Sequence, residues 1–427
     1  MQIKRVSVKN YRSFEELDIA LGKFNVIVGA NASGKSNFIS IFSFIKNLVE
    51  FGLNDAISLV GGIEYLRNVY LLHNDKISLE IEAESLKNGL YRFSPFKEEM
   101  AISPKKIIYK LELLITENEK EYQINEEEMK IFCKFFKINI DNEEMKENFL
   151  DDGEISILRT NGKIQCKVSS KSEVIDKDLV KRLYLFDDEK ISDMRLDPDE
   201  SIIRGRSIPI PFISFMIERI LKGIHLYEIN PKPPKEFSRI SGKSELEPDG
   251  KNLILILKKL LNDKKKEEKL AEIIKDFLPF IEKISIDKLA DKYICANIKE
   301  IFSKDKFLPA SLMSDGTINI IALIIILYFE EKPIIIIEEP EGNIHPFLIS
   351  KVIDMMKDVS HRMKKQIIIT THNPEIVKYA GIEHLYLMQR NNKGFSNMVK
   401  PEENKQVQIF LENQMSIDEL FIQNFLG

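Results

Sequence analysis

Apolar and polar residues alternate from Ile3 to Val8 and again from Leu17 to Leu21, the period of half-buried strands. Phe24, Val26, Ile27 and Val28 then form a denser apolar run that enters a glycine-rich turn, and Lys35 to about Val49 is expected to be helical. The last third returns to dense apolar runs. Ile334 to Ile337 and Ile367 to Ile369 are uninterrupted isoleucine, with a shorter strand expected near Leu385 to Met388 and helices from Thr317 and from about Pro346. Runs without alternation suit a parallel sheet covered on both faces. The two ends of the chain are therefore expected to build one sheet, with the middle inserted.

That middle is less regular. Strand patterns run from Ile77 to Ala83 and from Ile107 to Ile115, and a hairpin from Ile155 to Val168 is expected to turn at Asn161 and Gly162. Asn118 to Asp152 is rich in glutamate and lysine, and Asp197 to Pro211 and Pro231 to Gly242 read as joints. A helical pair follows. Leu253, Ile254, Leu257, Leu260 and Leu261 mark the first helix, and Leu270, Ile273, Ile274, Phe277, Leu278 and Ile281 recur at helical spacing on the second. No heptad pattern is sustained, so long coiled-coil arms are not expected. The expected division is an N-terminal lobe at 1–85, an inserted α+β or helical region at 86–245, a helical part with a C-terminal lobe at 246–400, and a tail at 401–427.

Composition narrows the class. With 44% hydrophobic and 30% charged residues among 427, the chain reads as an ordinary globular protein, and a net charge of −5 excludes the strongly basic balance of a nucleic-acid coat protein. Cys133, Cys166 and Cys295 lie far apart and are odd in number, which argues against a disulfide framework or a zinc site and for a cytoplasmic location. The opening residues contain no apolar stretch of the signal-peptide kind. The most apolar segment, Ile318 to Ile337, is broken by Glu330, Glu331, Lys332 and Pro333 into runs shorter than the ~20 residues a membrane span needs. No membrane partner is expected.

Four segments carry chemistry. Gly29 to Ser36, GANASGKS, fits GxxxxGK[ST], in which backbone amides and a helix N-terminus cradle phosphate. Asn31, Ala32, Ser33 and Gly34 should supply amides, Lys35 should reach the β and γ phosphates, and the Ser36 hydroxyl should ligate Mg²⁺. Asn37 directly follows the motif. Ile334 to Pro340, IIIIEEP, is an apolar strand ending in two carboxylates: Glu338 would hold Mg²⁺ and Glu339 would act as general base on water. Standing alone, such a pair is a solvated strand end. Thr370 to Asn373, TTHN, places His372 at the end of another buried strand, where it could meet a γ-phosphate. Pro309 to Thr317, PASLMSDGT, opens a helix with Ser314, Asp315 and Gly316, a second anion site that is useful if it caps the phosphate of another subunit, and otherwise an ordinary helix cap.

Taken in order, GANASGKSN, MSDGT, IIIIEEPEGNIHP and TTHNP resemble the Walker A, signature, Walker B with D-loop, and switch-histidine motifs of ABC ATPases. VKNYRSFEELDI and LEPDGKNL further resemble SMC-like and RecF-like ATPases, the group that supplies the heads of OLD-family proteins. The resemblance covers about the first 70 residues and those after about Glu245. It implies an α/β P-loop fold of the ABC head type, a mixed sheet with helices on both faces. It also implies a head-to-tail homodimer around ATP, in which Ser314, Asp315 and Gly316 act in trans, with Glu339 catalytic and His372 the phosphate switch. Glu338 stands where aspartate is usual, MSDGT stands where transporters have LSGGQ, and GGIEYLR at Gly61 to Arg67 occupies the Q-loop region without a glutamine. Only 55 residues follow His372, so the TOPRIM nuclease domain of OLD proteins is expected to be absent. The expected activity is Mg²⁺-dependent ATP hydrolysis that switches DNA or a nuclease-type effector in repair or anti-phage defence. The alternative is a slow-turnover ATP-binding scaffold that assembles or silences a protein partner.

Overall fold

The computed structural model describes residues 2–71, 76–85, 91–93, 99–115, 121–141, 144–170, 195–203, 221–304, 306–403, 407 and 417–422. Part of the joint expected up to Pro211 and most of the tail expected at 401–427 lie outside the described residues. The chain forms two compact units. One comprises Met1–Gly22, Ser36–Ile224 and Gln389–Met398; the other comprises Lys23–Lys35, His225–Met388 and Val399–Gly427.

The first unit is organised by an antiparallel sheet. Its strands run Phe14–Ala20, Gln2–Tyr11, Lys76–Glu84, Glu99–Ile115, Tyr122–Asp141, Glu144–Thr160 and Lys163–Ser170 across the sheet. The two N-terminal strands thus join this sheet rather than the isoleucine-rich one expected to unite the chain ends. The reason is visible in their burial: residues alternate along Phe14–Ala20 and Lys76–Glu84, as half-buried antiparallel strands do. The hairpin turns at Asn161 and Gly162, whose φ angles of 50° and 78° fit the tight turn that right-twisted strands prefer.

A buried polar network lies inside this unit. Glu127 and Arg159 are both fully buried. The Glu127 carboxylate accepts from Tyr109 Oη at 2.7 Å, Ser201 Oγ at 2.5 Å and the Ile202 amide at 2.9 Å. The Arg159 guanidinium donates to the Asp197 carbonyl at 2.6 Å. These bonds hold the segment 195–203 to the sheet, since hydrogen bonding offsets part of the cost of burying polar and charged groups.

The second unit contains the parallel strands Phe24–Val28, Ile334–Glu338, Gln366–Thr371 and Leu385–Arg390. Ile334–Glu338 pairs with Gln366–Thr371, which pairs with Phe24–Val28, which pairs with Leu385–Arg390. Both ends of the chain thus contribute to this sheet, as expected, and Phe24–Val28 lies between two strands of the C-terminal third. Every residue of Phe24–Val28 and Gln366–Thr371 is buried, which explains their lack of alternation. Helices Asp315–Tyr328 and Pro346–Arg362 contribute to the core of this unit.

The helical pair is Leu253–Leu261 and Lys264–Phe277. Helical spacing through Ile281 overstated the second helix. Pro279 disfavours helical geometry at Leu278, which sits at φ −128°, ψ 67°, and Ile281 begins the strand Ile281–Leu289 instead.

Glu127→Ala should cost about 3 kcal/mol, since two hydroxyls and an amide lose their acceptor, and should lower the urea midpoint accordingly. Burial lifts the Glu127 carboxyl above its ordinary 4.5 against the pull of Ser201, Ile202, Tyr109 and Arg159. The folded protein therefore keeps this proton to higher pH than the unfolded chain, and the group's contribution to stability is lost as pH rises through the folded value. Stability read from denaturation midpoints should therefore fall as pH rises above the ordinary carboxylate range, and Glu127→Ala should flatten that dependence.

Candidate functional site

Parallel register brings three loops to one edge. Glu338 is opposite Thr370, Thr370 is opposite Ile27, and Thr371 is opposite Val28, so the residues that follow each strand emerge side by side at the C-terminal edge. Open α/β sheets bind ligands at this edge, because chain direction there aims loops and helix N-termini outward.

Gly29 begins the phosphate-type loop. Its amide donates to the Thr371 carbonyl at 3.3 Å, and a Cβ at this position would collide with the Met388 carbonyl, so only glycine lets the strands approach this closely. Ala32 at φ 62° and Gly34 at φ 118° turn the loop back towards the helix Lys35–Phe51. Asn31 and Ala32 are exposed, while Ser33, Gly34 and Lys35 are buried. Lys35 Nζ donates to the Gly29 carbonyl at 2.7 Å and the Ala30 carbonyl at 3.0 Å. Burial lowers the Lys35 ammonium from its ordinary value, while Glu339, Glu341 and Glu338 pull it up. Ser36 is exposed, and Asn37 Nδ2 donates to Ser13 Oγ at 2.7 Å.

The acidic loop faces this lysine electrostatically. Glu338 is half-buried at the strand end, and Glu339 takes a left-handed backbone at φ 44°, its amide bonded to the Thr370 carbonyl at 3.0 Å. His372 Nδ1 lies 2.9 Å from Glu339 Oε1, with both side chains about half exposed at 50% and 48%. The structure therefore brings together two residues that the sequence places 33 apart. That pairing fixes the orientation of the Glu339 carboxylate.

Ser314 caps the helix Asp315–Tyr328, its hydroxyl accepting from the Thr317 amide at 3.1 Å. Asp315 pairs with Lys235. A Cβ on Gly316 would meet the Asn343 carbonyl, and Asn319 Nδ2 donates to the Gly342 carbonyl. The helix start is thus packed against the turn that follows the acidic pair. Sequence reasoning did not single out Asn319, Thr371 or Glu341, although the last two stand within the quoted TTHN and EEPEG runs. Glu341 is buried and accepts from the Thr371 hydroxyl.

The fold is that of a P-loop ATPase-type head. A family model described as "AAA domain, putative AbiEii toxin, Type IV TA system" matches residues 24–378, and the chain belongs to that family. This agrees with the ABC-type, SMC-like resemblance of the motifs. A stretch of 56 residues is 39% identical to endonuclease GajA of Bacillus cereus (strain VD045), covering 13% of this chain and 10% of that protein. Among solved structures, the SMC head bound to the C-winged helix domain of ScpA aligns at TM-score 0.48 and 13% identity, covering 93% of this chain and 97% of that one. The SMC head domain from Thermotoga maritima aligns at 0.43 and 14%, covering 94% and 99%. Among the described residues, no helix is long and apolar enough to cross a membrane.

Gly316→Ala should force the helix start away from the Asn343 turn and cost roughly 1–3 kcal/mol, the range for overpacking. Thermal denaturation checks this, and an unchanged melting temperature would show that the contact yields freely.

Proposed function

We propose that the chain binds ATP with Mg²⁺, hydrolyses it, and closes head to tail with a second copy around the nucleotide. The observation that carries this reading is the convergence at one sheet edge of the Gly29–Lys35 loop, the Glu338–Glu339 pair and the 2.9 Å contact between Glu339 and His372. On ATP binding, Lys35 would exchange the Gly29 and Ala30 carbonyls for phosphate oxygens. Ser36 and Glu338 offer only oxygen, which suits Mg²⁺, a hard cation that binds through a few protein oxygens together with nucleotide phosphates. When bound, that ion would neutralise charge on the transferred phosphoryl group. Glu339 would take the proton of the attacking water, with His372 fixing the carboxylate and registering the γ-phosphate.

Ser314, Asp315 and Gly316 would complete the site of the other copy. Leu312 and Phe347, 71% and 73% exposed, supply large apolar surface two residues before Ser314 and four after Asn343, where such a contact would form. Closure and release would then switch DNA or a nuclease-type effector in repair or anti-phage defence. The short match to a protein named as an endonuclease supports that target. A slow-turnover scaffold that assembles or silences a partner is the second reading, favoured by a family description that names a toxin–antitoxin system.

Lys35→Ala should lose nucleotide affinity by at least about tenfold, whereas Glu339→Gln should keep affinity and slow hydrolysis by about 10²–10⁴, the usual worth of a general base. In Glu339→Gln, ATP and Mg²⁺ should shift the solution mass from monomer to dimer, and adding Ser314→Arg should abolish the shift. Wild-type turnover in Glu339→Gln would remove the assigned base. A mass that ignores nucleotide would remove the sandwich, and turnover indifferent to duplex DNA would move the reading to the scaffold.

A further inference from the structure

Glu341 stands apart from the other acids of the loop. It is 9% exposed, and one carboxylate oxygen, Oε1, accepts from Thr371 Oγ1. The other, Oε2, is buried and has no hydrogen-bond partner among the described residues. A buried carboxylate with an unused oxygen weakens the folded state, so its retention calls for a use in another state of the site.

The geometry around Thr371 says which state. The Thr371 carbonyl accepts the Gly29 amide at 3.3 Å, its hydroxyl bonds Glu341, and the same hydroxyl oxygen accepts from the Asn373 amide at 2.9 Å. One residue thus connects the start of the phosphate loop, the buried carboxylate and the joint from which His372 projects. Glu341 is also one of three carboxylates that act on the Lys35 ammonium, and burial pushes its own carboxyl up, against the pull of Thr371, its own backbone amide and His372, with Glu339 adding to the rise.

We infer that Glu341 is a further positioning residue of the hydrolysis site: Thr371 aims it through Oε1, and Oε2 accepts a hydrogen bond from water ordered beside the bound nucleotide. The inference rests on the proposed ATP site and goes one residue beyond it. Glu341 differs in task from Glu339, which removes the proton. Glu341 holds the water shell in register.

Glu341→Gln isolates the point, because its carbonyl keeps the Thr371 bond while its amide replaces the Oε2 acceptor. The variant should bind a fluorescent ATP analogue within about threefold of wild type, lose at least about tenfold in kcat, and melt about 2 °C higher without nucleotide. Thr371→Val should also lose kcat, and Thr371→Ser should restore it. A residue that only supported the fold would instead melt lower and leave kcat unchanged. Lys35→Ala and Glu339→Gln, measured beside these, separate the two levels. If both controls behave as proposed but Glu341→Gln turns over at the wild-type rate, or melts below wild type, the role of Glu341 is overturned. If the controls keep full affinity and turnover, the ATP site itself falls, and Glu341 with it.

Discussion

The site depends on one constraint, the parallel register of buried strands. Pairing Glu338 with Thr370 and Thr371 with Val28 sets the level at which three loops leave the sheet. A slip of one residue would invert every side chain on the moved strand and carry its loop about 3.3 Å along the edge. Isoleucine filling both faces of Ile334–Glu338 and Gln366–Thr371 makes such a slip costly in packing, which is how an apolar core comes to fix polar geometry at its rim.

The rim itself is built against local preference. Glu339 and Ala32 adopt left-handed backbone, a few kcal/mol at most of the order that functional loops tolerate. Lys35 is buried beside its own loop carbonyls, and Glu341 keeps a buried oxygen without a partner. The left-handed residues and the unpartnered oxygen do not help the empty protein fold. On the proposed reading, each would become favourable once phosphate supplied the opposite charge to the amides and lysine and water supplied a donor to the acid, as expected of a site preorganised for its ligand.

Much of this was legible in residues. The glycine loop, the acidic strand end and the histidine after an isoleucine run could be located from residue types at fixed offsets, and the structure brings them to one sheet edge. The parallel core was legible because a strand buried on both faces cannot alternate. The first unit was harder. Tyr122–Asp141 was read only as a charged segment, although Met129, Ile131, Cys133 and Phe135 are buried in strict alternation with outward lysines, glutamate and other residues. Charge content hid the period. The pairing of Gln2–Tyr11 with Lys76–Glu84, and the contact of Glu127 with Ser201, join residues far apart in the chain, and nothing local in a sequence encodes such a choice.

The turn after Glu339 ties two motifs into one body. Gly342 donates its amide to the Glu339 carbonyl and gives its own carbonyl to Asn319, while Gly316 leaves no room for a side chain beside Asn343. A turn anchored on one side to the acid pair and on the other to the start of the Asp315–Tyr328 helix cannot shift at one without loading the other, since close-packed groups have no slack to absorb the movement. The MSDGT segment and the EEPEGN segment are therefore mechanically coupled within one chain. On the proposed reading, a rearrangement that phosphate imposed on Glu339 would reach the start of the Asp315–Tyr328 helix through a hydrogen bond and a glycine contact, with no need for a longer path.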